Sequence, residues 1–128
     1  MGLLTDFFIA SPDEVERLDR RGGPAGLFPT VQAKGFDTVD LAQLYEWLTG
    51  ETANPVDGEQ EGELGETWVV HLSNDFTRAI ARMDSERMAQ FAEEWLLSAD
   101  EAAVLLEVSA LARRGAGEGR ELYVWMSL

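Results

Sequence analysis

Few side chains in this chain have types and spacings suited to catalysis, and the single histidine is the first to consider. His71 lies in the segment Thr67–Leu72, whose β-branched and aromatic residues favour a strand. An imidazole can act as a general base near neutral pH. No Gly-x-Ser-x-Gly elbow precedes a helix, and no Ser–His–acid order can be assembled around this residue. We therefore interpret His71 as a hydrogen-bonded structural residue on the strand face shared with Val69.

Two glycine-containing segments have the spacing of ion-binding loops but not their context. Residues 57–63 place acids at positions 1, 3 and 5 and a glycine at position 6 of a calcium loop. Position 12, which needs a bidentate glutamate, is Trp68. Residues 115–119 are glycine-rich but precede a strand, whereas phosphate binding needs a helix N-terminus. Since cysteine is also absent, we predict neither a metal site nor a cofactor.

The charge balance is the strongest feature of the composition. Ten basic residues face 24 acidic ones, which gives a net charge of −14. Residues 35–77 hold ten acids and no lysine or arginine. Such a surface repels nucleic acids and anionic membranes, so neither is expected as a partner. The apolar runs are shorter than a membrane span, and residues 1–11 lack the basic start of a signal peptide. These features predict a cytoplasmic location.

The order of hydrophobic patterns predicts three strands and about five helices. The strands cover residues 3–10, 67–72 and 120–126. Ser11 and Ser98 are each followed three residues later by glutamate, which is the pattern of a capping box at a helix start. Further helices are expected over 37 or 38 to 49, from Ser73, and from Asp84 or Ser85. The pattern predicts one α+β domain over 1–128, with a small three-stranded antiparallel sheet covered by helices.

Several finer expectations follow from the same patterns. Residues 50–66 carry six acids and little apolar content, so they are predicted to form a flexible acidic loop. The last helix looks apolar on nearly every side and is expected to be buried and to end near Gly115. Trp95 falls on the apolar stripe of the preceding helix. The final strand, if it lies at a sheet edge, offers a surface for homodimerisation.

One segment resembles a known family. The aromatic helix end Leu44–Gly50, the acidic stretch after it, and Trp68 leading into Phe76–Met83 are similar to the YfbM-like domain of unknown function. The similarity covers about a third of the chain. It implies an α+β fold with a hydrophobic final strand, and it carries no activity or site residue.

Two function classes remain. The first is a non-enzymatic protein, for example an immunity or antitoxin-like protein, that binds a basic partner through its acidic surface. Its predicted contact residues are Asp57, Glu59, Glu61, Glu63 and Trp47.

The alternative is a small-molecule-binding domain or small enzyme. Its site would be lined by His71, Tyr45 and Trp68. The thin catalytic inventory favours the non-enzymatic class.

Overall fold

A computed structural model describes residues 4–17, 24, 28–34, 38–52, 56–61 and 67–127. Its strands are β1 (Leu4–Ala10), β2 (Thr30–Lys34), β3 (Val56–Glu61), β4 (Thr67–Leu72) and β5 (Glu121–Ser127). Its helices are α1 (Pro12–Glu16), α2 (Thr38–Thr49), α3 (Asn74–Ala81), α4 (Ser85–Trp95) and α5 (Ala99–Glu118). The predicted α+β class, with five helices and an antiparallel sheet, is confirmed.

The sheet has five strands in the order β2-β1-β5-β4-β3, and every neighbouring pair is antiparallel. The predicted number of three strands is therefore wrong. Both missed strands are edge strands with weak strand patterns: β2 reads TVQAK, and β3 reads VDGEQE. Pairing with the stronger neighbours β1 and β4 imposes the extended backbone that local propensity does not predict.

This strand order corrects two further predictions. Residues 56–61 of the expected acidic loop form β3 and pair with β4. The final strand β5 is the central strand, bonded to β1 on one side and to β4 on the other. Because both of its sides are occupied, β5 is no edge, and homodimerisation by strand pairing through it is excluded.

The two faces of the sheet carry separate apolar clusters. Alternating residues of β1, β4 and β5 pack under the helices, and these include Phe7, Ile9, Val70, Leu72, Leu122 and Val124. The residues between them form a second cluster on the opposite face, with Val15 of α1 and Phe28 packed against it: Phe8, Ala10, Val69, Tyr123 and Trp125. This two-sided burial explains why the predicted strands read as nearly continuous apolar runs.

Local capping begins the helices as predicted. Ser11 and Ser98 form full capping boxes, and the side chains of Ser73 and Asp84 accept bonds from the first turns of α3 and α4. The last helix departs from expectation because α5 continues past Gly115 and ends at Gly119, whose φ of 70° suits glycine. Its outer face is also exposed, so the prediction of a fully buried helix is wrong.

Candidate functional site

A groove lined by both apolar and polar side chains opens between α2, α4 and the first turns of α5, and it contains a cavity of about 280 Å³. Its floor is formed by Leu41 and Leu44 of α2 and Leu105 of α5, all of which are buried. The periodicity of α2 places its two leucines three residues apart on one face. The groove is therefore continuous with the helix-side core and is an opening in it.

Aromatic side chains of α2 and α4 line up along the groove. The ring of Phe91 meets that of Trp47 edge-on at 5.0 Å between centroids, and Trp95 follows at 5.8 Å on the other side. We call Trp47, Phe91 and Trp95 the aromatic row. Only Phe91 is buried, whereas Trp95 is 43% exposed. The prediction that Trp95 lies in the core is thus wrong, because α4 ends at this residue and the turn leaves its ring partly uncovered.

Two polar contacts fix the first ring of the row. The Nε1 of Trp47 donates a hydrogen bond to the Glu94 carboxylate. The Arg87 guanidinium lies over the Trp47 ring, 5.1 Å from its centroid, in a cation–π arrangement. Trp47 is therefore held in place behind Phe91, which itself lines the groove. It was predicted to contact a partner, and the structure places it beside the groove with neighbours on α4.

Leu96 is the most unusual residue near the groove. It is 89% exposed, and its φ of 54° makes it the one non-glycine residue with a left-handed backbone among the described residues. This conformation costs an L-residue about 1–2 kcal/mol, and glycine is the usual choice at such a helix end. Leu96 thus exposes a large apolar side chain to solvent and also adopts a backbone conformation that is unfavourable for leucine. Stored strain of this kind points to function.

Carboxylates border the groove. Asp40 and Glu101 line it from α2 and α5, and Glu93 and Glu94 lie exposed on α4. Glu101 also completes the capping box of α5, where its Oε1 accepts the Ser98 N–H at 3.1 Å. Negative charge beside exposed apolar surface suits a cationic, amphipathic ligand.

The residues predicted for a small-molecule site do not come together. His71 lies on the face opposite the helices, with its ring 4.9 Å from that of Tyr123 and its Nε2 3.5 Å from a Glu121 carboxylate oxygen. Tyr45 is buried on the helix side against Phe76, and Trp68 packs against that same core. The sheet separates His71 from the other two residues, so the structure does not bring the three side chains together.

The predicted acidic contact residues lie partly within the described chain. The backbones of Asp57, Glu59 and Glu61 belong to β3, where Glu59 pairs with Val70. Glu63 lies outside the described residues. A role for this acidic strand in partner binding stays a prediction.

Two further carboxyl groups have shifted pKa values. Burial raises the pKa of Asp6, which lies on the face of the sheet opposite the helices between its cross-strand neighbours Trp125 and Gln32. The hydrogen bond from the Ser11 backbone, aided by the charge of Arg120, lowers the pKa of Glu14. Neither group lines the groove, and the capping hydrogen bonds together with the nearby arginine charge account for the shift at Glu14.

The rest of the described chain offers little to compete with the groove. In the ranges given above, no three histidine, aspartate or glutamate residues are grouped so that they could hold a metal ion. No helix within those ranges has the length and apolar character of a membrane span.

Comparison of the chain with family models, curated proteins and solved structures finds no match in any of the three. The resemblance to the YfbM-like domain therefore stays a prediction. What the groove binds has to follow from its own residues.

Sequence reasoning missed most of this groove, although one signal was present. Trp95, Leu96 and Leu97 are three consecutive large apolar residues at a helix end, directly before the Ser98 cap. A helix buries one stripe, so three in a row cannot all face the core, and at least one must reach the surface. Asp40, Gln43 and Glu101 carried no such signal, because they come together only where α2 and α5 meet at the groove.

Proposed function

We propose that this chain is a non-enzymatic interaction module that binds a basic protein partner through the groove between α2, α4 and α5. The observation that carries this proposal is the exposure of Trp95, which lines a leucine-floored cavity bordered by Asp40 and Glu101, and of Leu96, which follows Trp95 in the chain. Partly exposed tryptophan is favoured at the centres of protein interfaces. Surrounding carboxylates would steer and orient a partner of opposite charge.

The cavity is small, and exposed apolar surface follows it in the chain. Pockets for drug-sized ligands span roughly 300–1,000 Å³. At about 280 Å³ the cavity lies at the lower end of that range, and Leu96, next in the chain to Trp95 of its lining, exposes further apolar surface. An anchor residue that is part of a larger interface fits both features.

The net charge of −14 supports a basic partner. A basic surface gains from this charge at long range as well as at the groove. The specific form of the proposal is an immunity or antitoxin-like role, in which the acidic face covers a basic functional surface of another protein. The acidic residues Asp57, Glu59, Glu61 and Glu63 add to this negative charge.

The test is affinity capture from host lysate at low and at high salt, followed by measurement of the purified complex. We expect a basic protein that is retained at low salt, released at high salt, and lost with the Trp95→Ala/Leu96→Gly variant. A second variant neutralises Asp57, Glu59, Glu61 and Glu63. It should lower the association rate and its salt dependence if the acidic strand contributes.

The matched control is Asp13→Asn/Glu16→Gln on α1. Both residues are exposed, and α1 packs on the opposite face of the sheet through Val15. This variant removes two negative charges, half as many as the fourfold neutralised variant, so the two effects are compared per charge removed. If the control and the groove variants weaken binding equally, the partner is attracted by overall charge and not bound at a specific site. That result would contradict the proposal.

A further inference from the structure

We propose that the cavity receives one apolar anchor side chain of a short basic segment of the partner, and that Asp40 and Glu101 bind lysine or arginine residues flanking that anchor. This inference rests on the proposed function and makes it specific. It assigns the cavity, the rim charges and the exposed Leu96 to one ligand.

The volume and walls of the cavity define the anchor. The cavity measures about 280 Å³. That is room for one large aliphatic or aromatic side chain. Leu41, Leu44 and Leu105 form an apolar floor, on which a polar side chain would lose its hydration without compensation.

The exposed residues at the end of α4 extend this contact outward. Trp95 walls the cavity, and Leu96 follows it at the surface with 89% of its area open to water. A segment seated with its anchor in the cavity would cover Leu96 on binding. Binding then offsets the energetic cost of the left-handed backbone at Leu96, because it removes the exposed apolar side chain from water.

The charge of the rim defines the residues beside the anchor and disfavours a second copy of this chain. Two carboxylates line the groove from different helices, Asp40 from α2 and Glu101 from α5. Two copies at −14 each would repel one another, and the groove of each would present the same sign. A segment with lysine or arginine on either side of an apolar residue is complementary to the negative charge of the rim and to the apolar floor of the cavity.

The test starts with selection of a random displayed-peptide library on the immobilised wild-type protein. The expected consensus is one large apolar residue flanked by lysine or arginine. Synthetic consensus peptides are then titrated, with the fluorescence of the groove tryptophans as the readout. Replacing the anchor by alanine should weaken binding about tenfold or more.

Protein variants locate the bound peptide. Gln43 is exposed and lines the groove, so Gln43→Trp should block the cavity without disturbing the core. Glu101→Gln keeps the capping geometry and removes the charge. Together with Asp40→Asn it should weaken binding and its salt dependence, while Asp13→Asn/Glu16→Gln should leave both nearly unchanged. Circular dichroism establishes that each variant is folded.

The outcomes separate the two proposals. A basic consensus without an apolar anchor, bound equally well by the Gln43→Trp variant, would overturn the anchored cavity and leave the acidic interaction module standing. A neutral or acidic consensus, or no enriched peptide, would count against both.

Discussion

Gly115 of α5 lies so close to Ile9 of β1 that a β-carbon on the glycine would come within 2.9 Å of the Ile9 Cγ2. The same added carbon would lie 3.1 Å from the Arg120 carbonyl oxygen. Ile9 is fully buried and β-branched, so it cannot rotate away easily. The absence of a side chain at Gly115 therefore sets how closely the longest helix approaches the sheet.

The first prediction concerns this contact. Gly115→Ala should destabilise the fold by about 1 kcal/mol, because overpacking of about 1–3 kcal/mol outweighs a helix-propensity gain of about 1 kcal/mol. Chemical denaturation measures the change. Gly117→Ala is the matched control on the same helix, since nothing lies within 4 Å of its added β-carbon. It should stabilise the fold, and equal effects at both positions would contradict the close approach.

The second prediction concerns the polar link between α5 and the end of α3. The Arg113 guanidinium donates to the carbonyl oxygen of Ala81 at 2.9 Å and to the Ser109 hydroxyl at 2.8 Å. Buried Ser109 in turn donates to the Met83 carbonyl at 3.0 Å. Arg113→Ala should lower the free energy of unfolding by about 1–2 kcal/mol, because helix-end carbonyls lose their partner.

Arg114 gives the control for this arginine. Its exposed pair with Glu118 one turn along the helix is worth about 0.3–0.5 kcal/mol. Arg114→Ala should therefore change stability much less than Arg113→Ala. The prediction fails if urea titrations give the two variants the same midpoint.

The third prediction concerns pH. Because burial raises the pKa of Asp6 in the folded chain, its proton is bound more tightly in the folded state than in the unfolded state. The folded state thus loses stability as pH rises from the ordinary pKa of 3.8 through the raised value. Asp6→Asn should be more stable than wild type at neutral pH, and the difference should vanish in acid. Denaturant titrations across this pH range measure it, and a pH-independent difference would contradict the mechanism.

The fourth prediction separates stability from binding at Leu96. Leu96→Gly removes a left-handed strain of about 1–2 kcal/mol and adds the backbone entropy cost of glycine of about 0.5–1 kcal/mol. The net gain of about 0.5–1 kcal/mol should raise the melting temperature by roughly 2–4 °C. The same change should weaken partner binding. A variant that binds as well as wild type would remove Leu96 from the interface.

The sequence was informative where local chemistry decides the structure. Ser11, Ser73, Asp84 and Ser98 begin helices through hydrogen bonds that span only three residues, so their positions were predicted correctly. The strands β1, β4 and β5 were also predicted, since residues buried on both faces leave continuous apolar runs.

The rest depended on distant partners. The edge strand β3 is polar, and its extended backbone follows from pairing with β4. The pattern of α4 predicted Trp95 to be buried, but the position of the turn at Leu96 leaves it partly open. The sequence predicted a helix end near Gly115. The close approach of this glycine to Ile9 could not be predicted, because Ile9 lies more than 100 residues earlier in the chain. The groove was missed for the same reason, since three separate helices form it.

The central position of β5 has a consequence for synthesis of the chain. β1 is made first among the strands, yet one of its two partners, β5, is made last, after residue 120. Until then β1–β2 and β3–β4 can form only as separate antiparallel pairs, and the edges of β1 and β4 that pair with β5 stay open. The nascent chain should therefore stay sensitive to protease, and dependent on chaperones, until β5 leaves the ribosome. A ribosome-bound chain stalled with β5 still inside the exit tunnel would report this as rapid cleavage.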